Sequence, residues 1–275
     1  MGRFDAFNDY ERAMWSSERA AAYESGLTRL TAHTVDALLD AAAACPGRHL
    51  LDVGTGPGLA AQAATRRGCT VVGVDVSPQM IELARVAVPG AEFREGSAES
   101  LPCADASFDA VVGNFIVLHL GHPDRLAAEA VRVLRPGGRA AFTVWATGDR
   151  NRILGIFPDV LAEADVAAPD SIPDGPLSTD YADHDRFAAL LDEAGFTDVV
   201  VSEVEWEFQV DPSVWWDAVV ASTPRTGGLV SRQSIEVQDR LRATYDAMVE
   251  RYVDNDGLAT FPVVAVLARG VADGS

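Results

Sequence analysis

Asp52 interrupts the apolar run Leu50-Leu51-Asp52-Val53, and the turn that follows, Gly54-Thr55-Gly56-Pro57-Gly58, carries three glycines. Backbone without side chains lets a ligand approach closely, and a helix opening after such a turn offers unpaired N–H groups. Seventeen residues beyond Gly58 a second apolar run, Val71-Val72-Gly73-Val74, ends in Asp75. A carboxylate at a strand end can accept two hydrogen bonds from the 2′ and 3′ hydroxyls of a ribose. The competing reading is an acid that only complements the dipole of the helix it precedes. Asp52 argues against a pyrophosphate at the glycine turn, since both would be anionic, and Leu59 stands where a dinucleotide fingerprint has its third glycine. A nicotinamide-dependent reductase is disfavoured on the same two residues.

Further groups able to do chemistry follow in order. Gly96-Ser97-Ala98-Glu99 comes after a short third strand, and Asn114 and Phe115 end a Val-rich fourth strand that begins near Ser107-Phe108-Asp109. His119, just past that strand, is the first candidate for a general base; a lone His among apolar residues is more often structural. His122 and His184 fall in surface connections and rank lower. Aromatic residues crowd the segments flanking the core: Trp15 and Tyr23 near the start, Trp145 at the end of a fifth strand, Phe157 in the next helix, then Trp215 and Trp216. They could form a platform for a flat or greasy molecule, or simply pack a lid. Arg225, beside Pro224, could meet an acidic substrate group or be solvated.

The elements that must position these residues alternate strand and helix through the first half, which implies a parallel sheet covered on both faces. Strands are expected at 49–53, 70–74, 91–94, 108–113 and 140–145. Helices are expected at 27–44, 59–67, from the Ser77-Pro78 cap to Val88, and at 123–134 before Pro136-Gly137-Gly138. The second half is less regular: helices at 151–164, 185–194, 212–220 and 231–252, a Pro-, Asp- and Ser-rich loop at 167–181, an alternating strand at 198–210 and a last apolar strand at 261–268. The sheet does not need the material between 210 and 261, so those helices are expected to cover the ligand cleft.

Composition sets the outer bounds. The chain has 275 residues, 48% of them hydrophobic, and no apolar run near the roughly 20 residues of a membrane span. The N-terminal ten residues are polar and lack a signal-peptide pattern, so a cytoplasmic protein without a membrane partner is expected. A formal net charge of −19 repels phosphate backbones and disfavours nucleic acid. All 22 basic residues are Arg, which excludes a Schiff-base lysine, a P-loop lysine and a pyridoxal-phosphate site. Cys45, Cys69 and Cys103 have no metal-ligand spacing, so no metal site and no disulfide scaffold is expected. Oligomeric state is open, a homodimer included.

Together, the glycine turn, Asp75, Gly96 to Glu99, Ser107 to Asn114 and the turn Leu134-Arg135-Pro136-Gly137-Gly138-Arg139 resemble the class I S-adenosylmethionine (SAM) dependent methyltransferases, in a small-molecule, methyltransferase type 11-like form. The likeness spans about residues 28 to 146. It implies an α/β, Rossmann-like, seven-stranded and mostly parallel sheet with an antiparallel last strand, plus a helical lid. The implied division is a cap (1–27), a SAM-binding core (28–146), a connecting helix and loop (147–183), more core (184–210), a lid insertion (211–260) and a last strand with its tail (261–275). The resemblance also implies SAM as cofactor and S-adenosylhomocysteine as product. Asp52, Gly54, Thr55, Gly56 and Gly58 would meet the amino-acid end, with Asp52 near the ammonium. Asp75 would hold the ribose, with Val76 and Met80 beside it. Ser97, Ala98 or Glu99 would take the adenine; Ser97 departs from the Asp common in the family at that place. Asn114 and Phe115 would lie beside the methionine.

The expected activity is methyl transfer to a small, largely apolar metabolite of secondary metabolism, with oxygen the modal acceptor and nitrogen or carbon also open. Trp15, Tyr23, Trp145, Phe157, Trp215, Trp216 and Arg225 are the expected substrate contacts and His119 the expected catalyst. Two alternatives share the fold: cyclisation, decarboxylation or hydroxylation on bound SAM, and a non-catalytic SAM-binding partner of another enzyme.

Overall fold

A computed structural model describes residues 4–15, 17–166, 172–173, 175–176 and 179–273. Most of the expected loop at 167–181 therefore lies outside the described residues. The chain begins with α1 (Asp5–Met14) and α2 (Ser17–Ser25), then α3 (Thr28–Thr31) and α4 (Val35–Ala41). Strand and helix next alternate: β1 (His49–Val53), α5 (Leu59–Arg66), β2 (Thr70–Asp75), α6 (Pro78–Ala87), β3 (Glu92–Glu95), β4 (Phe108–Asn114), α7 (Pro123–Val133) and β5 (Leu134–Trp145). The second half holds α8 (Arg152–Glu163), α9 (His184–Ala194), β6 (Phe196–Val210), α10 (Pro212–Ser222), α11 (Arg225–Val230), α12 (Ile235–Val249) and β7 (Ala259–Ala272).

The strands form one seven-stranded sheet in the order β3-β2-β1-β4-β5-β7-β6. The pairings among β1 to β5 are parallel, and β7 runs antiparallel to both β5 and β6. Central strands of such a sheet are apolar on both faces, as Leu50, Leu51 and Val53 are, all fully buried. One face packs on α4, α5 and α6 through Leu38, Leu39, Ala60, Ala64 and Ile81. The other packs on α7 and α9 through Leu126, Ala130, Phe187 and Leu191. The strand order reverses between β1 and β4, so a crevice opens there at the carboxyl ends, where open α/β sheets bind ligands.

The differences from expectation have local causes. The expected helix at 27–44 breaks into α3, a 3-10 turn (Ala32–Thr34) and α4. Asn114 causes the break from outside: its Nδ2 donates to the Thr31 carbonyl at 3.0 Å and its Oδ1 accepts from the Thr34 hydroxyl at 2.8 Å. Strand β5 starts at Leu134 because the Pro136-Gly137-Gly138 stretch is an irregularity within the ladder. Helix α11 interrupts the polar stretch before α12. Helices α10 to α12 lie between β6 and β7, with α10 against α2 and α12 against α8.

Candidate active site

The glycine turn is shaped by close packing as much as by its freedom for a ligand. Gly54 has φ +67°, and a Cβ there would lie 2.6 Å from the Ile116 side chain, so no other residue fits. Its N–H and that of Thr55 donate to the Val74 carbonyl, tying the end of β1 to the end of β2. Gly56 N–H donates to Asp75 Oδ2 at 2.9 Å, and Ser77 N–H donates to Asp75 Oδ1 at 2.9 Å. The acid at the tip of β2 is thus aimed by the loop after β1. Burial pushes its carboxyl above the usual range, while those N–H groups pull it back.

Asp52 is 1% exposed and accepts from the Thr55 hydroxyl at 2.7 Å and from Ala61 N–H at 3.0 Å. Burial pushes its pKa up to about 6 against those two bonds. It walls a small cleft with Thr55, Thr31, Asn114 and Tyr23. The sign of its contribution to stability follows. Its folded pKa exceeds the ordinary 3.8, so the stability linked to its proton is complete below about pH 4 and lost as pH rises through about 6. Asp52→Asn keeps an acceptor for Thr55 and Ala61. It is expected to stabilise the ligand-free protein at pH 7.5 by roughly 3 kcal/mol and to do little at pH 4, as thermal melts at the two pH values would read.

A cavity opens beside the strand tips, lined by Gly54, Gly56, Asp75, Val76, Met80, Ser97, Ala98, Glu99, Asn114 and Phe115. Ten of the expected cofactor residues are therefore together; Asp52 and Thr55 face the adjoining cleft. Gly58 is on neither. It is the left-handed N-cap of α5 (φ +91°) and lies against Ala84, so the turn itself calls for glycine there. Glu99 is engaged: its carboxylate accepts from Asn8 Nδ2 at 2.9 and 3.0 Å and from His122 N–H at 2.9 Å. Ser97 Oγ accepts from Glu99 N–H at 3.1 Å and shapes that loop.

A second cavity, of about 610 Å³, adjoins the first. Trp15, Tyr23, Phe115 and His119 line both. Phe115 adopts φ +60°, a conformation costing a non-glycine residue on the order of 1–3 kcal/mol. Two contacts hold it there: its N–H donates to Thr143 Oγ1 at 3.0 Å, and its ring stacks on Trp145 at 3.7 Å. Burial pushes the Tyr23 phenol above its ordinary value, so it stays protonated at neutral pH. Trp145, Phe157 and Arg225 also line the larger cavity, as do Asp149, Asn151, Arg152 and Asp159.

Trp215 and Trp216 do not. They are 1% and 6% exposed and belong to the core beneath the insertion with Phe157, Phe208, Tyr245 and Phe261. The Trp215 indole N–H donates to the Ile153 carbonyl at 3.0 Å, leaving no polar handle for a ligand. Each such ring buries roughly 200 Å², about 5 kcal/mol at 25 cal/mol per Å², so their contribution is to hold the insertion together.

His119 closes a 3-10 turn (Val117–His119) after β4. Its Nδ1 lies 3.0 Å from Glu11 Oε2, and its ring meets Trp15 edge-on at 5.5 Å. Glu11 is 4% exposed, and its other oxygen lies 3.6 Å from Arg225 Nε. Arg225 is only partly solvated: it is 32% exposed, donates to the carbonyls of Pro176 and Leu118 and sits 4.4 Å from the Phe7 ring centroid. Sequence reasoning missed Glu11. A signal existed, because Asp5, Asn8 and Glu11 recur every three residues and share a helix face. All three meet the stretch after β4: Asp5 pairs with His122, Asn8 accepts from Gly121 N–H and Glu11 pairs with His119. Among the described residues no cluster of His, Cys, Asp or Glu could hold a metal ion, and no helix is long and apolar enough to cross a membrane.

Residues 51–142 match the family model described as a methyltransferase domain. The chain is 32% identical over 253 residues to an uncharacterized methyltransferase of Mycobacterium tuberculosis, spanning 90% of this chain and 91% of that protein. It is 44% identical over 101 residues to an uncharacterized methyltransferase of Mycobacterium sp. strain KMS, a match covering 36% of this chain and only 40% of that relative's length. Its fold is similar to that of phosphoethanolamine N-methyltransferase 2 of Haemonchus contortus, solved with phosphomonomethylethanolamine and S-adenosylhomocysteine. That likeness has a TM-score of 0.57 at 19% identity, over 97% of this chain and 60% of that one. The residues present fit SAM: a carboxylate at the second strand tip suits a ribose diol, Val74, Met80 and Ala98 give apolar walls for a base, and Asp52 supplies negative charge by the glycine turn. The chain belongs to the class I SAM-dependent methyltransferases.

Proposed function

We propose that this protein transfers a methyl group from SAM to a hydroxyl of a small, largely apolar metabolite by in-line displacement. The observation that carries the reading is the shared wall: Trp15, Tyr23, Phe115 and His119 stand where a cleft built for a nucleoside meets a larger, aromatic-lined hollow. When bound, SAM supplies a methyl carbon activated by a sulfonium. Asp75 holds the ribose and the glycine turn meets the amino-acid end. The aromatic rings exclude water and tolerate a nearby cation, which suits a transition state whose charge is dispersed. In-line displacement needs the acceptor oxygen roughly 3 Å from the carbon, opposite the sulfur, and the larger cavity has the room to hold such an acceptor. His119 takes the hydroxyl proton as the new C–O bond forms. Small-molecule chemistry in a reducing cytoplasm, and a place in secondary metabolism, accord with the net charge of −19 and with Cys45, Cys69 and Cys103 all being free thiols.

The test is a screen of phenolic and polyketide-like hydroxyl compounds with SAM, read by mass spectrometry, beside calorimetry with S-adenosylhomocysteine. The expected result is S-adenosylhomocysteine binding and a product heavier by one methylene unit. A product of unchanged mass, or one that has lost a carboxyl, would replace transfer by another reaction on the same fold.

A further inference from the structure

We infer that Glu11, on the N-terminal helix α1, is the positioning residue for His119. It holds the imidazole proton on Nδ1 and leaves Nε2 free as the acceptor where the two cavities meet. This inference rests on the methyl-transfer reading above and adds a residue that no motif of the core contains.

The geometry has three parts. First, Glu11 Oε2 lies 3.0 Å from His119 Nδ1, and a carboxylate at neutral pH only accepts, so the proton between them sits on the ring nitrogen. A neutral imidazole with its proton on Nδ1 must have a lone pair on Nε2. Second, Glu11 lines only the cofactor cavity, whereas His119 lines both, so the carboxylate approaches the ring from the cofactor side. Third, the carboxylate is buried beside a cation: Glu11 is 4% exposed and its Oε1 faces Arg225 Nε at 3.6 Å, an ion pair without a hydrogen bond. Partial burial of Arg225 pulls its pKa below the ordinary value while the neighbouring Glu11 raises it.

Three separate parts of the chain thereby meet at one imidazole: α1 supplies the carboxylate, α11 supplies the guanidinium, and the turn after β4 supplies the ring. The base is assembled only when both covering segments are seated. Asn8 reinforces the seat from the same face of α1, accepting from Gly121 N–H at 2.6 Å and donating to Glu99. A group that only fastened α1 would need a hydrogen bond but would have no reason to engage the imidazole among the rings that border both cavities.

The tautomer is directly readable. Long-range ¹H–¹⁵N correlation spectra of the full-length, ¹⁵N-labelled protein loaded with S-adenosylhomocysteine at pH 8 should show His119 protonated on Nδ1, the minor form for a free imidazole. Glu11→Gln retains an acceptor and should keep that pattern. Glu11→Ala should move the proton to Nε2 in the S-adenosylhomocysteine-loaded protein. Finding His119 protonated on Nε2 in the wild type, or an unchanged Nδ1 form in Glu11→Ala, overturns the inference. Should Glu11→Ala fail to fold, Arg225→Gln gives the second reading: a His119 spectrum with mixed tautomers supports the inference, and one identical to wild type overturns the assembly of the base by α1 and α11. Failure of the wild type to bind S-adenosylhomocysteine would strike the methyl-transfer reading instead, and the two failures are seen in different measurements.

Discussion

Asp75→Ala is expected to weaken S-adenosylhomocysteine binding by at least about a hundredfold in calorimetry. The carboxylate has lone pairs beyond those used by Gly56 N–H and Ser77 N–H, and it stands on the cavity wall. A ribose diol would add two hydrogen bonds to a charged acceptor, each contributing on the order of 1.5–3 kcal/mol, and together they give the expected loss. Alanine also releases the Gly56 N–H that ties the loop after β1 to the tip of β2, and the Ser77 N–H of the turn that follows, so a thermal melt must accompany the titration. Asp75→Asn separates the effects: it keeps one acceptor and should lose less. The pH dependence carries a sign. Burial raises the Asp75 pKa and only the ionised carboxyl accepts from both hydroxyls, so wild-type affinity should weaken as the pH falls through that raised value. The asparagine variant should lack this dependence. Unchanged affinity in a folded Asp75→Ala protein would remove the ribose contact, and with it the reading of the cleft.

The core was legible because its signals are local. Leu50 to Val53 and Val71 to Val74 are runs of the length and composition of buried parallel strands, and each is punctuated by glycine or an acid at the end where ligands bind. Ser77-Pro78 marks its own helix start, and Ser77 does cap α6, accepting from Met80 N–H. What the sequence hid depends on partners far along the chain. The helix expected across 27–44 is broken by Asn114, some eighty residues away. Glu11 acquires its meaning from a histidine 108 positions later. No periodicity in α1 names that partner; it only marks the face.

The tryptophans teach a related point. The sequence pattern puts Trp15, Tyr23, Trp145, Trp215 and Trp216 on one footing, yet the first three line the larger cavity and the last two are core. The difference is not in residue type. Helix α10 is apolar on several sides, with Trp215, Trp216 and Val219 all buried, so its composition does not say which face meets a ligand and which meets α2 or α8. Gly58 illustrates the converse. It belongs to a ligand-binding motif, yet its left-handed backbone and its approach to Ala84 are demands of the turn.

His119→Ala is expected to lower turnover by about 10²- to 10⁴-fold with the acceptor found in the screen, the usual range for removing a general base. In activation free energy that is roughly 3–5 kcal/mol, far more than the loss of one edge-on contact with Trp15 would supply. The size of the effect discriminates among acceptors. A hydroxyl must shed its proton as carbon–oxygen bond formation proceeds, whereas a tertiary amine or a thioether has none to lose. A full-rate His119→Ala enzyme would therefore remove both the base and the hydroxyl acceptor in one measurement. Added imidazole should restore part of the lost rate, because the side-chain deletion leaves room at the junction of two cavities where a free ring can enter. Rescue should rise with the fraction of neutral imidazole as pH increases, since only the unprotonated ring can accept. Rescue that instead followed the imidazolium would assign His119 an electrostatic part in the reaction and leave proton removal to another acceptor.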